Sequence, residues 1–408
     1  MIKFIETKHQ SSFIQKMGYL LVASLPLTNI KFFGHLYLFE LIAAIIFLMI
    51  LVLFAIGFVK IRLNHTDYIV LAFGFFSLIS VAINIDSLYE SMRYYRHMVL
   101  VPILVYFLIR SIFFEVYSTQ KGSLVLILVT IFLVVSMIIY YFRTGLRPEE
   151  AFGIDSLITA SMLAAFAIFF FYYHIEYFEG LLFKTFLGII LVIIFLGLIV
   201  SMTRSAIFGV FLIPIILRII LNKKILQKVF LFSFLLGVFS LIFISYFYYH
   251  PNKTNFSPRQ QYRPIELERE IDRITNIDSY SDDAKRRLDE WGYILSIGMK
   301  KPFLGYGGTY YHFAKGGQST AHNIFISSFL TSGFLGLALL LTLYSSACLN
   351  IFSVNIIEPR VNILRKFIFA SMIMMLMIGI TNDFAGERAI LFFFVIALST
   401  NLNEFSKR

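Results

Sequence analysis

Residues 181–202 read LLFKTFLGIILVIIFLGLIVSM, with Lys184 as the one charged residue. A helix rises 1.5 Å per residue, so crossing a hydrocarbon core of ~30 Å takes about 20 apolar residues. This stretch has that length. Unpaired backbone N–H and C=O groups are not tolerated in lipid, which makes such a segment helical. A membrane barrel strand would alternate apolar and polar residues, and this run does not alternate.

Runs of the same kind recur outward in both directions. The chain reads as an all-α polytopic membrane protein with about twelve transmembrane helices. The expected spans are 14–33, 36–59, 67–84, 97–116, 123–142, 154–175, 181–202, 205–221, 228–249, 323–350, 364–381 and 387–403. Composition agrees. Of 408 residues, 59% are hydrophobic and 14% charged, against roughly 25% charged in a soluble domain. Met1–Lys16 is basic and precedes an apolar stretch, but no small-residue cleavage site follows, so it reads as the approach to a first span. Cys348 is the single cysteine and lies in an apolar run, which excludes an intrachain disulfide.

The formal charge of +11 is read as the cytoplasmic excess of Lys and Arg found in membrane proteins, not as a nucleic-acid footprint. With the N-terminus inside, the cytoplasmic side receives Lys3, Lys8, Lys16, Lys60, Arg62, Arg110, Lys121, Arg218, Lys223, Lys224, Lys228, Arg360, Arg365, Lys366, Lys407 and Arg408. The opposite short loops hold Lys31, Arg93, Arg96, Arg143, Arg147, Arg204 and Arg388. Three regions follow: membrane helices in 1–249, a large outside loop at 250–322, and membrane helices in 323–408. The loop carries 11 Lys or Arg against 9 Asp or Glu, a soluble-protein composition. Within it Leu288, Trp291, Leu295 and Met299 recur at helical spacing and predict an amphipathic helix over 282–301, with Trp291 suited to a membrane interface. Ile265, Leu267, Ile271 and Ile274 suggest a shorter helix before it. Pro302, Gly305, Gly307, Gly308, Gly316 and Gly317 then mark turns.

Metal and nucleotide chemistry find no motif: there is one cysteine, no His-Glu-x-x-His, no calcium-loop pattern and no phosphate loop ending in Lys-Ser or Lys-Thr. His322, in Ser319-Thr-Ala-His-Asn323, stands where the loop meets the tenth span. A histidine there can accept a proton near neutral pH, and equally can cap a helix or sit at the interface. Arg204 occupies the tight turn Ser201-Met-Thr-Arg204-Ser, and Arg286 and Arg287 open the amphipathic helix. A guanidinium is a planar, permanent cation that matches phosphate oxygens in pairs. Each arginine alone also fits snorkelling or a solvated face. Together, basic forks and one titratable base on the outer face suggest a lipid-linked phosphate substrate.

At these residues the sequence resembles the bacterial O-antigen ligase and O-antigen polymerase superfamily. The ligase pattern of His, Asn/Ser/Gln, nine residues, Gly, two residues and Gly, Thr or Tyr is met by His322-Asn323, 324–332, Gly333 and Gly336. Arg287-Leu-Asp-Glu-Trp291 resembles the family's Arg-x-x-x-Trp stretch. Pro302-Phe-Leu-Gly-Tyr-Gly307 resembles its Pro-x-x-Gly-x-Gly stretch, and Met202-Thr-Arg204-Ser its turn arginine. Where many members have Leu four residues after that arginine, this chain has Phe208.

The resemblance implies a GT-C-like fold in the bacterial inner membrane and an active site facing the periplasm. It implies a metal-independent, cofactor-free, inverting glycosyltransferase. The donor is a glycan on undecaprenyl pyrophosphate and, for a ligase, the acceptor is a sugar hydroxyl of the lipid A core. Membrane lipids are the surrounding partners, and nucleic acid is not one. In this reading His322 is the general base, Arg204 and Arg287 bind pyrophosphate and Arg286 is a further contact. Trp291, Asn323, Gly333 and Gly336 are structural parts of the motifs, the glycines allowing close helix packing. Two alternatives stay open. One is a polymerase, with the same donor and a lipid-linked glycan as acceptor. The other is a lipid-linked sugar flippase, for which ionisable residues within helices or two related halves with broken helices are expected.

Overall fold

The structure is a computed structural model. It describes residues 8–28, 30–33, 36–57, 63–84, 92–93, 95–113, 115–144, 157–175, 180–201, 203–221, 291, 294–295, 297–307, 323–353, 358–381 and 387–405. The expected span 228–249, the loop over 250–290 and residues 308–322 lie outside the described residues. So do Arg286, Arg287 and His322.

The described chain is helical apart from one short hairpin. In chain order the helices are α1 (Lys8–Ala23), α2 (Leu38–Ala55), α3 (His65–Ile83), α4 (Val101–Ile112), α5 (Val116–Thr144), α6 (Leu157–His174), α7 (Leu181–Val200), α8 (Arg204–Leu221), α9 (Ile324–Phe352), α10 (Pro359–Thr381) and α11 (Glu387–Phe405). Five described helices are long and apolar enough to cross a bilayer: Leu38–Ala55, His65–Ile83, Val116–Arg143, Ile324–Phe352 and Pro359–Ile380. Shorter apolar helices cover Ile158–His174, Lys184–Val200, Ser205–Leu217 and Arg388–Leu402. The fold is therefore all-α, with the helices of a polytopic membrane protein.

The first expected span departs most from this. The helix ends at Ala23, well short of residue 33, and a 3-10 turn at Leu25–Leu27 follows. Pro26 has no N–H to continue an α-helical ladder, and Ser24 turns its hydroxyl back on the Leu21 carbonyl at 2.7 Å. Lys31–Phe33 then pairs antiparallel with Leu36–Tyr37, and the chain enters α2 directly from the hairpin.

The described chain divides into two compact units. The first holds Met1–Val129 and Trp291–Arg408, with α1–α4, the start of α5 and α9–α11. Its polar contacts fix the directions of the helices. Thr66 at the start of α3 lies 2.6 Å from Ser346 and accepts from Asn350 at 3.1 Å, both late in α9. Ser80 near the end of α3 meets Thr331, early in α9. The two helices are thus antiparallel. Asp67 in α3 meets Arg110, late in α4, Asn401, late in α11, donates to the Phe113 carbonyl, and Asn323 donates to Ile380, last turn of α10. One end of this unit accordingly gathers Asn64, Asp67, Arg110, Asn350 and Asn401. The other gathers Tyr37, Asn84, Tyr95, residues 301–307, Asn323 and Ile380.

At the first end a buried polar network joins three helices. Arg110 Nε and Nη2 each lie 3.1 Å from one oxygen of Asp67, a two-point pair that satisfies both ions. Tyr106 donates to Asp67 at 2.6 Å, Arg110 Nη1 reaches the Asn401 side chain, and the Asn64 N–H closes a capping box on Asp67 at 2.7 Å.

The second unit holds Thr130–Ala151 and Asp155–Glu290, with the rest of α5 and α6–α8. Gly197 of α7 lets the helix rest on Val134 of α5: a Cβ there would stand 3.0 Å from the Val134 Cβ. In the tight turn from α7 into α8, Ser161 of α6 puts its hydroxyl 2.7 Å from Ser201 Oγ and 2.8 Å from Thr203 Oγ1. Pro214 lies inside α8.

Candidate functional site

Of the expected site residues the structure describes the side chains of Trp291 and Asn323, and the backbone of Gly333, Gly336 and Arg204. Asn323 is the most constrained. It takes extended backbone angles, and its Oδ1 accepts from the N–H groups of Phe325 (2.9 Å) and Ile326 (3.1 Å). Two otherwise orphaned donors of α9 are satisfied this way. Its Nδ2 donates to the Ile380 carbonyl at 3.1 Å. The residue directly after His322 therefore ties the start of α9 to the end of α10, with only 6% of its surface exposed.

Gly333 has φ 65° and ψ −163° in the middle of α9, a combination essentially restricted to glycine. The helix bends there, and the bend receives the Pro302–Gly307 turn. Phe334 N–H donates to the Pro302 carbonyl at 2.7 Å, and Tyr306 N–H to the Leu330 carbonyl at 2.7 Å. A Cβ on Gly333 would overlap the backbone of Phe303 and stand 2.6 Å from Leu304 N. One on Gly305 would stand 2.5 Å from the Leu330 carbonyl and 2.7 Å from Gly333 N. The close approach that Gly333 permits is thus to the turn's backbone, not to another helix. Gly336 faces the Ser332 side chain of its own bent helix. The two glycine motifs, far apart in their sequence roles, are one interlocked backbone joint.

Three residues that sequence reasoning missed clamp this joint to α3. Ser80 turns its hydroxyl toward the carbonyls of Leu304 and Thr331, 2.6 Å from the latter. Asn84 donates to the Ser80 carbonyl at 2.7 Å and to the Gly305 carbonyl at 3.1 Å. Its Oδ1 accepts from Lys301 Nζ at 2.6 Å, and that ammonium stands 4.9 Å from the centre of the Tyr306 ring. Their only sequence signal is position: Asn84 ends a span, and Lys301 stands directly before Pro302. Behind the joint a cavity of about 60 Å³ is lined by Ser77, Ser327, Ser328, Thr331, Ser332 and Gly307, among others.

Trp291 packs with Ile297 against Ile294, Tyr306, Ile326 and Leu330. Trp291 of the expected apolar stripe faces inward, but the buried side of the described part of this helix is offset from the rest of that stripe. Ile294 and Gly298 are buried, Gly298 against Phe329, while Leu295 is 40% and Met299 58% exposed. The inward stripe runs 291, 294, 298, because α9 supplies its wall on that side.

Arg204 is the first residue of α8, in the second unit. The turn before it is fixed by Ser161, Ser201 and Thr203, which are 1%, 0% and 6% exposed. Phe208, one turn on, is 60% exposed. Among the described residues no group of three or more His, Cys, Asp or Glu side chains is arranged to hold a metal. The structure thus places Trp291 and Asn323 near the start of α9 and Gly333 and Gly336 at and just after its bend, and the backbone of Arg204 at the start of α8 in the second unit.

No curated protein matches the chain. Residues 189–341 match the family model described as O-Antigen ligase, a stretch that takes in the Arg204 turn, Arg286, Arg287, Trp291, the Pro302–Gly307 turn, His322, Asn323, Gly333 and Gly336. Over residues 189–341 the chain is thus similar to the O-antigen ligase family, which supports the O-antigen ligase and O-antigen polymerase superfamily.

Proposed function

We infer that the protein is an O-antigen ligase of the bacterial inner membrane, moving a glycan from undecaprenyl pyrophosphate to a sugar hydroxyl of the lipid A core on the periplasmic face. The observation that carries this is the Asn323 anchor. It holds the chain directly after His322 to both α9 and α10, where a general base needs a rigid support. The reading keeps the division into membrane helices over 1–249, a periplasmic loop at 250–322 and membrane helices over 323–408. The joint-bearing end of the first unit then faces the periplasm.

In the reaction the acceptor hydroxyl oxygen attacks the anomeric carbon of the donor sugar while the bond to the pyrophosphate oxygen breaks. His322 takes the hydroxyl proton. The leaving pyrophosphate gains negative charge, which Arg204, Arg287 and Arg286 match with fixed guanidinium charge. A single in-line displacement inverts the anomeric centre. Because the leaving group is already good and three cations attend it, these residues suffice without a metal or cofactor. Arg204 also adds its charge to the positive start of α8.

Purified protein mixed with the lipid-linked glycan and either lipid A core or further lipid-linked glycan tests the reading. Product on the core is expected; elongated lipid-linked chains would mean a polymerase, and lipid movement across vesicles without transfer a flippase. His322→Ala and Arg287→Ala are each expected to abolish transfer while the protein inserts normally. Full activity in either removes the site assignment.

A further inference from the structure

A second cluster of charge lies at the same end of the first unit as Asn323, and nothing in the proposed reaction uses it. Glu40, in the first turn of α2, is 7% exposed and accepts from the Tyr37 N–H at 3.2 Å. Its other oxygen, Oε1, has Arg96 Nε at 3.4 Å and His97 Nδ1 at 3.1 Å. Arg96 Nη2 lies 3.2 Å from His97 Nε2. Both residues sit on a widened, π-type turn at Arg96–Leu100 that leads into α4, a distortion frequent at functional sites. The Tyr37 ring meets the His97 ring edge-on, with centres 4.7 Å apart.

Two further cations stand beside these groups. Lys31 is paired directly opposite Tyr37 in the hairpin, so its side chain rises from the same face. The charge of Arg93 reaches the His97 ring. Lys31 and Arg93 are exposed, and the Arg96 side chain is 31% exposed. The buried carboxylate of Glu40 pairs with Arg96 and so ties α2 to the turn that leads into α4, while Lys31 and Arg93 stand exposed. Basic residues are scarce on outer loops, yet three of the seven assigned there converge here from two distant segments.

We propose that Lys31, Arg93 and Arg96 form a site for a phosphate group carried on a lipid, with Glu40 and His97 orienting the Arg96 guanidinium toward it. The proposal rests on the ligase reading for its membrane side and for its preferred ligand, a phosphate of the lipid A acceptor. The same chemistry would also recognise the headgroup of an anionic phospholipid.

The test uses the full chain in nanodiscs of zwitterionic phosphatidylcholine, and reads direct binding of lipid A core with its phosphates intact or removed. Lys31→Gln and Arg93→Gln leave Glu40 paired and guard against misfolding. Glu40→Gln combined with Arg96→Gln removes the oriented guanidinium without stranding a buried charge. For the phosphorylated acceptor each variant is expected to weaken binding about tenfold or more, the scale of one charge-assisted hydrogen bond. For the dephosphorylated acceptor wild type and variants should bind alike. If acceptor binding is unchanged but wild type retains labelled phosphatidylglycerol added to the disc and the variants do not, the site stands and its ligand is bulk lipid. If neither difference appears, the site is overturned. Binding is read without transfer, so a wild type that binds acceptor but moves no glycan would count against the ligase reading and leave the phosphate site intact.

Discussion

At Gly333 one hydrogen atom decides the path of a membrane helix. Its φ of 65° and ψ of −163° cost an L-residue on the order of 1–3 kcal/mol, before the overlap with Phe303. The neighbour cannot yield, because it is backbone held by the Phe334-to-Pro302 hydrogen bond. Gly333→Ala is therefore expected to cost well over 2 kcal/mol and to abolish transfer, read as loss of the folded peak in detergent and of product. Gly188→Ala is the matched control. It is also a helical glycine, but a Cβ there meets nothing within 4 Å. It should match or exceed wild-type stability, since alanine gains about 1 kcal/mol of helix propensity over glycine. Equal damage from both substitutions would show that the joint at Gly333 is not a constraint.

At the scale of the element, the start of α9 depends on Asn323 as cap and as tie to α10. Asn323→Ala removes two capping bonds and the bond to Ile380. It should cost about 1–2 kcal/mol and lower the transfer rate by more than the lost stability explains. Asn323→Asp keeps the acceptor for Phe325 and Ile326 but loses the donor to Ile380, so it should restore the cap and only part of the rate. Thermal unfolding and initial rates on the same preparations separate the two roles. Helices such as α2 and α9 were legible in the sequence because apolar length alone demands them. The hairpin at 31–37 was not, because residues 14–33 satisfy the same length criterion and only Pro26 and Ser24 argue against it. Trp291 was legible as a motif residue. The burial of Ile294 in place of Leu295 was not, since a stripe read from spacing alone does not say which side α9 will cover. The Ser80–Asn84–Lys301 clamp was invisible for a plainer reason. Its parts are 217 residues or more apart across the Lys301–Asn84 and Ser80–Leu304 bonds, and none belongs to a pattern.

Across the first unit as a whole, polarity is divided between two ends, and each end makes its own prediction. The Asp67–Arg110 pair is nearly sealed, with side chains 1% and 4% exposed. Removing one partner leaves a buried charge alone, so Asp67→Ala should destabilise by about 3–5 kcal/mol, while a double replacement by apolar residues of similar volume should recover much of that. Thermal unfolding of the single and double variants measures the difference. The same division sets the topology. Lys31 belongs to the end that carries Asn323; Lys121, near the start of α5, lies close to Phe113 and the other end. Both are exposed. In a Cys348→Ser background, Lys31→Cys in intact cells should react with a membrane-impermeant maleimide added outside the inner membrane. Lys121→Cys should react only after the membrane is opened. The opposite pattern would turn the joint of Gly305, Gly333 and Asn323 toward the cytosol, where a polyprenyl-pyrophosphate glycan displayed on the periplasmic face cannot reach it, and the ligase reading would fail for the whole molecule at once.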